Sequence, residues 1–366
     1  MRTMGWGLFC ACSWTWCIGM YLPIIMLHRY GWPGFLVFAV PNVIGCVAFG
    51  YVVRTPERSL ALVAHHAAAM KWFSLITLAY HVFFIGFACQ FLLPEALAGW
   101  WLPLVAAPAF LLIAWGLSAI PSRHWPVAAL VVYAVSLVAF AGAGLRPLSE
   151  IRWSGASAAS ELPWLAPTIA FGFLLCPYLD PTFHRALRQG AGRHAFAVFG
   201  LGFAVMLLLT CAYRALPDTG LTPLIGAHIA AQTLFTMAAH LKEVRAVTIV
   251  CCKWHLSTTM LSPLAALPLV YLGVFFDDGF RAMEDTYIRF LVFYGLALPA
   301  YVLLFMGPLR TLPRTRGTLL LFALLVIAGL PVYEAGFLHH RPWLLPVVII
   351  ALIVIVLASP VREAQE

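Results

Sequence analysis

Charged residues are scarce in this chain. Of its 366 residues, 22 are Lys or Arg and 14 are Asp or Glu, which makes 10% charged against 63% hydrophobic. Soluble domains carry about a quarter charged residues, and the mean hydropathy here is +0.93. The composition therefore excludes a soluble globular protein and predicts an all-α integral membrane protein.

Motifs of catalysis are also missing. The sequence contains no recognisable nucleophile–base pair, phosphate loop or zinc motif. The nine cysteines lie mostly in apolar runs, and neither Cys10–x–Cys12 nor the pair Cys251–Cys252 has metal-site spacing. We therefore expect no enzyme activity, no resident cofactor and no disulfide framework, with a polytopic enzyme as the weaker alternative.

Apolar segments of roughly 20 residues recur from end to end. They form one polytopic domain over 1–366, and we read the first segment as a retained span rather than a cleaved leader. About twelve spans are predicted, at 5–28, 34–53, 72–93, 101–120, 126–144, 164–186, 195–213, 224–241, 256–276, 287–307, 318–338 and 342–359. The segment 242–255 could extend either neighbour.

Positive charge gives these spans an orientation. With the N-terminus inside, fifteen of the 22 Lys and Arg residues fall at inner loops, among them Arg185. Basic residues mark the cytoplasmic side, so both termini are predicted to be cytoplasmic in a plasma-membrane protein. The net charge of +8 is spread over short loops, and we expect no nucleic-acid partner. The histidine pairs 65–66 and 339–340 are expected in loops or at the membrane interface.

The span count suggests an internal repeat. Five spans over about 5–144 and five over about 164–307 must have opposite orientations, and two further spans follow over about 318–359. This is the length signature of an inverted repeat, the 5+5 arrangement of many transporters.

The sixth span is predicted to be broken. Pro177 and Pro181 each remove a helix donor, so the helix should end near Cys176 and restart at Asp180-Pro181, a cap and first-turn pair. Its repeat partner would be the first span at residues 14–20, with Gly19 and Pro23 as weak points.

Two segments resemble known transporter families. The first is Pro177-Tyr178-Leu179-Asp180-Pro181-Thr182-Phe183-His184-Arg185, and the second is Gly31-Trp32-Pro33-Gly34 leading into Pro41-Asn42-Val43-Ile44-Gly45. They are similar to sodium:solute and nucleobase–cation symporters, within the LeuT-type fold of the amino acid–polyamine–organocation superfamily. The resemblance implies a midplane site lined by helices one, three, six and eight, and part of a sodium site on helix eight at Thr233 and Thr236.

Polar residues inside spans supply the other candidates. His228, Gln232, Thr236 and His240 follow one another at four-residue steps, which places a polar stripe on one helix face. Contact with an ion or substrate would explain this stripe, and so would plain interhelical packing. In the packing alternative, His240 lies at the inner interface. His81 could bond a substrate, relay a proton, ligate a metal or be satisfied by a neighbouring helix. Asp180 could bind substrate, or it could be a helix cap with no further role. The expected substrate-binding residues are Cys17, Gly19, Tyr80, His81, Cys176, Pro177, Tyr178, Asp180 and Gln232.

These features predict a secondary active transporter of a small organic solute, with Na⁺ or H⁺ as the coupling ion and the lipid bilayer as its other partner. Two alternatives stay open. His81, His228 and His240 could serve a membrane haem or quinone redox protein, and a transporter-derived sensor or non-transporting subunit would bind without translocation. The solute and the oligomeric state are not specified by the sequence.

Overall fold

The computed structural model describes residues 2–93, 99–143, 148–211, 223–251, 261–271, 279–307 and 311–359. These ranges contain helices and connecting turns, with no strand among them. The helices are α1 Arg2–Trp14, α2 Cys17–Val52, α3 Pro56–Phe87, α4 Leu102–Ser118, α5 Trp125–Ala143, α6 Leu162–Leu175, α7 Pro181–Arg188, α8 His194–Thr210, α9 Pro223–Cys251, α10 Leu267–Val270, α11 Gly279–Val292, α12 Leu298–Phe305, α13 Arg316–Phe337 and α14 Leu345–Ala358. A π-helical segment, Phe293–Ala297, joins α11 to α12, and another, Ala88–Leu92, extends α3.

The chain is an all-α, multi-pass membrane protein. Within the described ranges, seven helical segments are long and apolar enough to span a bilayer, and three further apolar helices are shorter. Helix occurs in every one of the twelve predicted spans, although residues 256–260 and 272–276 of the ninth lie outside the described residues. The inverted repeat itself stays a prediction.

Two helices extend well beyond their predicted spans. The third begins at Pro56 because Thr55 accepts the N–H of Arg58 at 3.3 Å and caps it. His65 and His66 therefore lie in helix α3 and not in a loop, while their expected place at the membrane interface stays a prediction. Buried His66 contacts the hydroxyl of Tyr301 at 3.1 Å. Likewise α9 continues to Cys251, so most of the uncertain segment 242–255 belongs to the eighth span.

The first span is interrupted at Thr15 and Trp16, between α1 and α2. Gly19 and Pro23, the expected weak points, both lie inside α2. Trp16 has an extended backbone (φ −75°, ψ 179°), and its indole N–H donates to the carbonyl of Ser13. A side chain thus takes up a carbonyl that the break releases, which is why no proline or glycine is needed at this point.

The helix α2 reverses direction at Gly31, where φ is +66° and ψ is −154°. The reversal brings Asn42 back beside Trp14, whose indole N–H donates to its Oδ1 at 2.7 Å. A side chain at Gly31 would be strained, and its Cβ would collide with the backbone of Trp153. The connection before α6, which the charge distribution predicts to be on the outer side, therefore packs directly against this turn.

The break in the sixth span is confirmed. Helix α6 ends at Leu175, a 3₁₀ turn covers Cys176–Leu179, and α7 begins at Pro181. Asp180 caps α7, since its Oδ1 accepts the N–H of Thr182 at 2.8 Å. The two prolines and the aspartate act as their backbone chemistry requires.

Candidate functional site

The two breaks lie side by side. The hydroxyls of Ser13, in the last turn of α1, and Thr182, in the first turn of α7, are 3.1 Å apart. The rings of Trp14 and Phe183 pack with their centroids 5.2 Å apart. The carbonyl end of α1 thus meets the N–H end of α7, so partial charges of opposite sign face the same central region.

Aromatic side chains fill the centre between the breaks. Trp16 packs against Trp14, Phe73 and Tyr294 at centroid distances of 4.3, 5.2 and 5.1 Å. The indole N–H groups of both tryptophans are hydrogen-bonded, to Asn42 and to the carbonyl of Ser13. The first break is therefore enclosed in an aromatic cluster in which both indole N–H groups are hydrogen-bonded.

Asp180 stands at the second break, completely buried. Its Oδ1 is used as the cap, while Oδ2 makes no hydrogen bond to any described residue. A carboxylate buried in this way is costly unless a proton or cation accompanies it. Capping therefore explains only one of its two oxygens.

The polar stripe of α9 faces the bundle interior and is fully buried. Gln232 donates to the hydroxyl of Ser136 at 3.0 Å, and Thr236 donates to the carbonyl of Cys12 at 3.1 Å. His240 lies 3.1 Å from the hydroxyl of Ser74 through Nδ1. His240 is thus buried against α3, and its depth in the membrane stays a prediction. Thr233, beside the stripe, is buried, and its hydroxyl has no partner among the described residues.

Three predicted site residues are tied to the segment that contains Tyr287 and Tyr294. Tyr287 donates to the carbonyl of Cys17 at 3.0 Å, and Tyr80 donates to the carbonyl of Tyr287 at 2.9 Å. The thiol of Cys176 donates to the carbonyl of Tyr294 at 3.2 Å. Cys17, Tyr80 and Cys176 are thus brought together around α11 and the π segment that follows it.

The other predicted residues are more dispersed. Nδ1 of His81 lies 2.7 Å from the carbonyl of Thr77 on its own helix, and Nε2 has no partner among the described residues. Gly19 packs towards α8, where a Cβ would meet the Phe203 ring at 3.3 Å. Pro177 is buried in the 3₁₀ turn, and the ring of Tyr178 packs 5.8 Å from that of Phe49.

A buried ion pair escaped the sequence interpretation. Nε of Arg185 lies 2.9 Å from Oε1 of Glu243, and both side chains are less than a tenth exposed. The guanidinium also packs against the rings of Phe9 and Trp125, 4.8 and 4.7 Å from their centroids. The prediction that Arg185 lies in an inner loop is therefore wrong, because Arg185 belongs to α7 and is buried in the bundle. Glu243 follows His240 by three residues, so one more step along the polar stripe would have found it.

A cavity of about 320 Å³ opens near this pair. It lies at the inner end of the bundle, which the charge distribution predicts to be cytoplasmic. The lining residues come from α3, α7 and α9 and are Val63, Ala64, Ala67, Met70, Lys71, Ser74, Pro181, Arg188, Glu243 and Ala246. Because Pro181 is the first residue of α7, the cavity reaches the second break.

The outer end holds a smaller cavity of about 70 Å³, with Thr168, Gly172 and Tyr294 in its wall. Ion pairs and hydrogen bonds surround it. Arg29 pairs with Glu284 at 2.9 Å, and the hydroxyl of Tyr30 donates to Glu161 at 2.7 Å. The outer end is thus held by polar contacts between separate elements.

No protein-family model matches the chain, and no curated protein matches its sequence. Among solved structures, the chain is similar to the manganese transporter of Eremococcus coleocola, solved in complex with an aromatic bis-isothiourea substituted compound. The identity is 15% and the TM-score 0.45, over 98% of this chain and 92% of that chain. A likeness at this level assigns neither a family nor a substrate.

Proposed function

We propose that this protein is a secondary active transporter of a small organic solute. It would carry the solute across the membrane by alternating access around the two interrupted helices. The observation that carries the proposal is the contact of the two breaks in the middle of the bundle, through Ser13 and Thr182. Interrupted membrane helices leave backbone groups at midplane that can bind solutes and ions, and such breaks are typical of transporter sites.

The unequal ends of the bundle support this function. The inner cavity has about 320 Å³ and the outer one about 70 Å³. A protein with alternating access exposes its centre to one side at a time, and in this proposal the wider inner cavity represents the inward-facing state. Solute binding is expected to shift the balance between this state and an outward-facing one.

A coupling ion has a candidate position beside the first break. The hydroxyl of Thr236 and the carbonyl of Cys12 lie 3.1 Å apart, and Thr233 is one turn away on the same helix. Carbonyls at the end of a half-helix are favourable Na⁺ ligands in membrane transporters. We propose Na⁺ coupling through these oxygens, with H⁺ coupling through Asp180 or His81 as the competing arrangement.

The first test is ligand-dependent stability followed by uptake. Purified protein is screened for a rise in Tm with amino acids, nucleobases, sugars and vitamins, each with and without Na⁺. A hit should be taken up by proteoliposomes, and Asp180→Asn and Tyr178→Ala should abolish uptake while the exposed control Arg58→Gln retains it. Binding without uptake would instead identify a sensor, and a visible absorbance band with no solute hit would favour a redox protein.

Alternating access has a separate test. Ala67→Cys places a thiol in the inner cavity, and Ile169→Cys places one in the outer cavity. A water-soluble maleimide should label Ala67→Cys faster, with the parent chain as the background control. Addition of the transported solute should change the two labelling rates in opposite directions, and equal changes at both ends would contradict the mechanism.

A further inference from the structure

We propose that the inner cavity binds a small organic anion, with Lys71 and Arg188 holding its acidic group. The inference deepens the proposed transport function, on which it rests for the role of the bound molecule, because it names the substrate class that occupies the inward-facing state. Binding itself can be measured without transport.

The cavity has the shape of a small-molecule site. Its α3 wall consists of Val63, Ala64, Ala67, Met70, Lys71 and Ser74, which share one helix face. The small side chains of Ala64 and Ala67, with Ala246 opposite on α9, leave its volume of about 320 Å³. This is at the lower end of ligand-pocket volumes. The walls therefore fit the apolar body of a compact solute.

The charges that line the cavity favour an anion. Glu243 is already engaged, because its Oε1 lies 2.9 Å from Nε of Arg185 behind the cavity wall. Its Oε2 is 3.9 Å from Nη2 of Arg188, and Nε of Arg188 donates to the carbonyl of His184 at 3.4 Å. The two Nη groups of Arg188 make no hydrogen bond to any described residue and can face an anion. Lys71 has no ion pair or hydrogen bond with any part of the chain that the structure describes. Two cations thus face the cavity with one carboxylate that is neutralised from behind, and Arg and Lys are the usual partners of carboxylates and phosphates.

The position of the cavity connects it to the centre. Ser74 lines the cavity, and its hydroxyl lies 3.1 Å from Nδ1 of His240. The ring of His240 packs 5.8 Å from that of Trp16 at the first break. Pro181, also in the wall, opens α7 at the second break. An anion held by Lys71 and Arg188 would therefore lie next to both interrupted helices.

Titration of the detergent-purified chain tests the proposal, with benzoate as the anionic probe and benzylamine as the matched cation. Benzoate should bind and benzylamine should not. A hydrogen bond to a charged group contributes about 1.5–3 kcal/mol, so Lys71→Gln and Arg188→Gln should each raise the benzoate Kd about tenfold or more. Arg193→Gln, an exposed charge outside the cavity at the same end, is the control and should leave the Kd unchanged.

A steric variant gives an independent readout, since Ala67→Phe should fill the cavity and abolish benzoate binding without a change of charge. The proposal is overturned if benzoate does not bind, if benzylamine binds more tightly, or if both glutamine variants bind benzoate like the parent. The outcomes that would refute transport differ from those that would refute the anion site. Benzoate binding without uptake of any solute would refute the transporter and keep this site, whereas uptake of a solute without benzoate binding would overturn the anion site alone.

Discussion

The two ends of the bundle are closed by different chemistry. At the outer end, the connection before α6 packs on the turn at Gly31, and ion pairs such as Arg29–Glu284 and Arg289–Glu334 lie at or near the surface. At the inner end, the main ion pair, Arg185–Glu243, is buried beneath an open cavity. Exposed pairs are weak and easily exchanged with water, whereas a buried pair is costly to break.

The difference indicates how the molecule could switch. Of the outer contacts, the exposed Arg289–Glu334 pair should break at the lowest cost, since water can replace it, whereas Arg29–Glu284 is largely buried. The inner pair joins α7 to α9 and positions the half-helix that follows the second break. Arg185 therefore anchors a structural element of the bundle, and under the proposed alternating access the outer contacts would be the ones that open.

The largest expected effect comes from breaking the buried pair. Glu243→Gln should leave the buried Arg185 guanidinium, which packs against Phe9 and Trp125, without its counter-charge. Removal of one partner of a buried pair costs about 3–5 kcal/mol. We expect a strong loss of the free energy of unfolding, measured in mixed detergent micelles.

A double variant separates the lost charge balance from lost packing. In Arg185→Met with Glu243→Leu, both charges are replaced by apolar side chains of comparable size, and most of the stability should return. If the double variant is as unstable as Glu243→Gln, packing rather than charge pairing holds α7 to α9.

The outer turn should be the next most sensitive point. Gly31→Ala puts a Cβ at φ +66° and against the Trp153 backbone, so we expect about 2 kcal/mol of destabilisation or more. The matched control is Gly116→Ala in α4, where nothing lies within 4 Å of the added Cβ. The control should be neutral or slightly stabilising in the same unfolding measurement. An equal effect at both glycines would show that the outer connection does not depend on the turn.

The sequence predicted those parts of the fold whose cause is local. The second break was predictable because Pro177, Asp180 and Pro181 impose it through missing donors and a cap. The first break falls inside the predicted stretch 14–20, but at Thr15 and Trp16 and not at the expected weak points Gly19 and Pro23. The structure closes it with the Trp16 indole, a contact that has no local signature. The start of α3 at Pro56 was not predicted, because its cap, Thr55, lies in a segment that was interpreted as a loop.

Long-range contacts set the limit for the site. The stripe on α9 was correctly predicted to face the interior, since its spacing alone defines a helix face. The Arg185–Glu243 pair was missed because it exists only once α7 and α9 are neighbours. The same holds for the inner cavity, whose walls come from three helices far apart in sequence.

A smaller effect is expected at the cap of the second break. Asp180→Ala removes the acceptor for the Thr182 N–H and should cost about 1 kcal/mol of stability, whereas Asp180→Asn keeps an acceptor and should cost less. Comparison of the two in unfolding and uptake assays separates roles. Loss of uptake in Asp180→Asn with retained stability would indicate that the free Oδ2 binds a proton or cation. Uptake equal to that of the parent would show that Asp180 acts only as a helix cap.

The smallest effect should come from the outer surface. The Arg289 guanidinium lies 2.6 Å from Glu334, but the two side chains are 50% and 36% exposed. Water screens such a pair, so Arg289→Gln should cost at most about 1 kcal/mol, and less at high salt. The informative readout is labelling of Ile169→Cys in the outer cavity, which should become faster in the Arg289→Gln background if surface pairs hold this end closed. An unchanged rate would show that the Arg289–Glu334 pair does not hold this end closed.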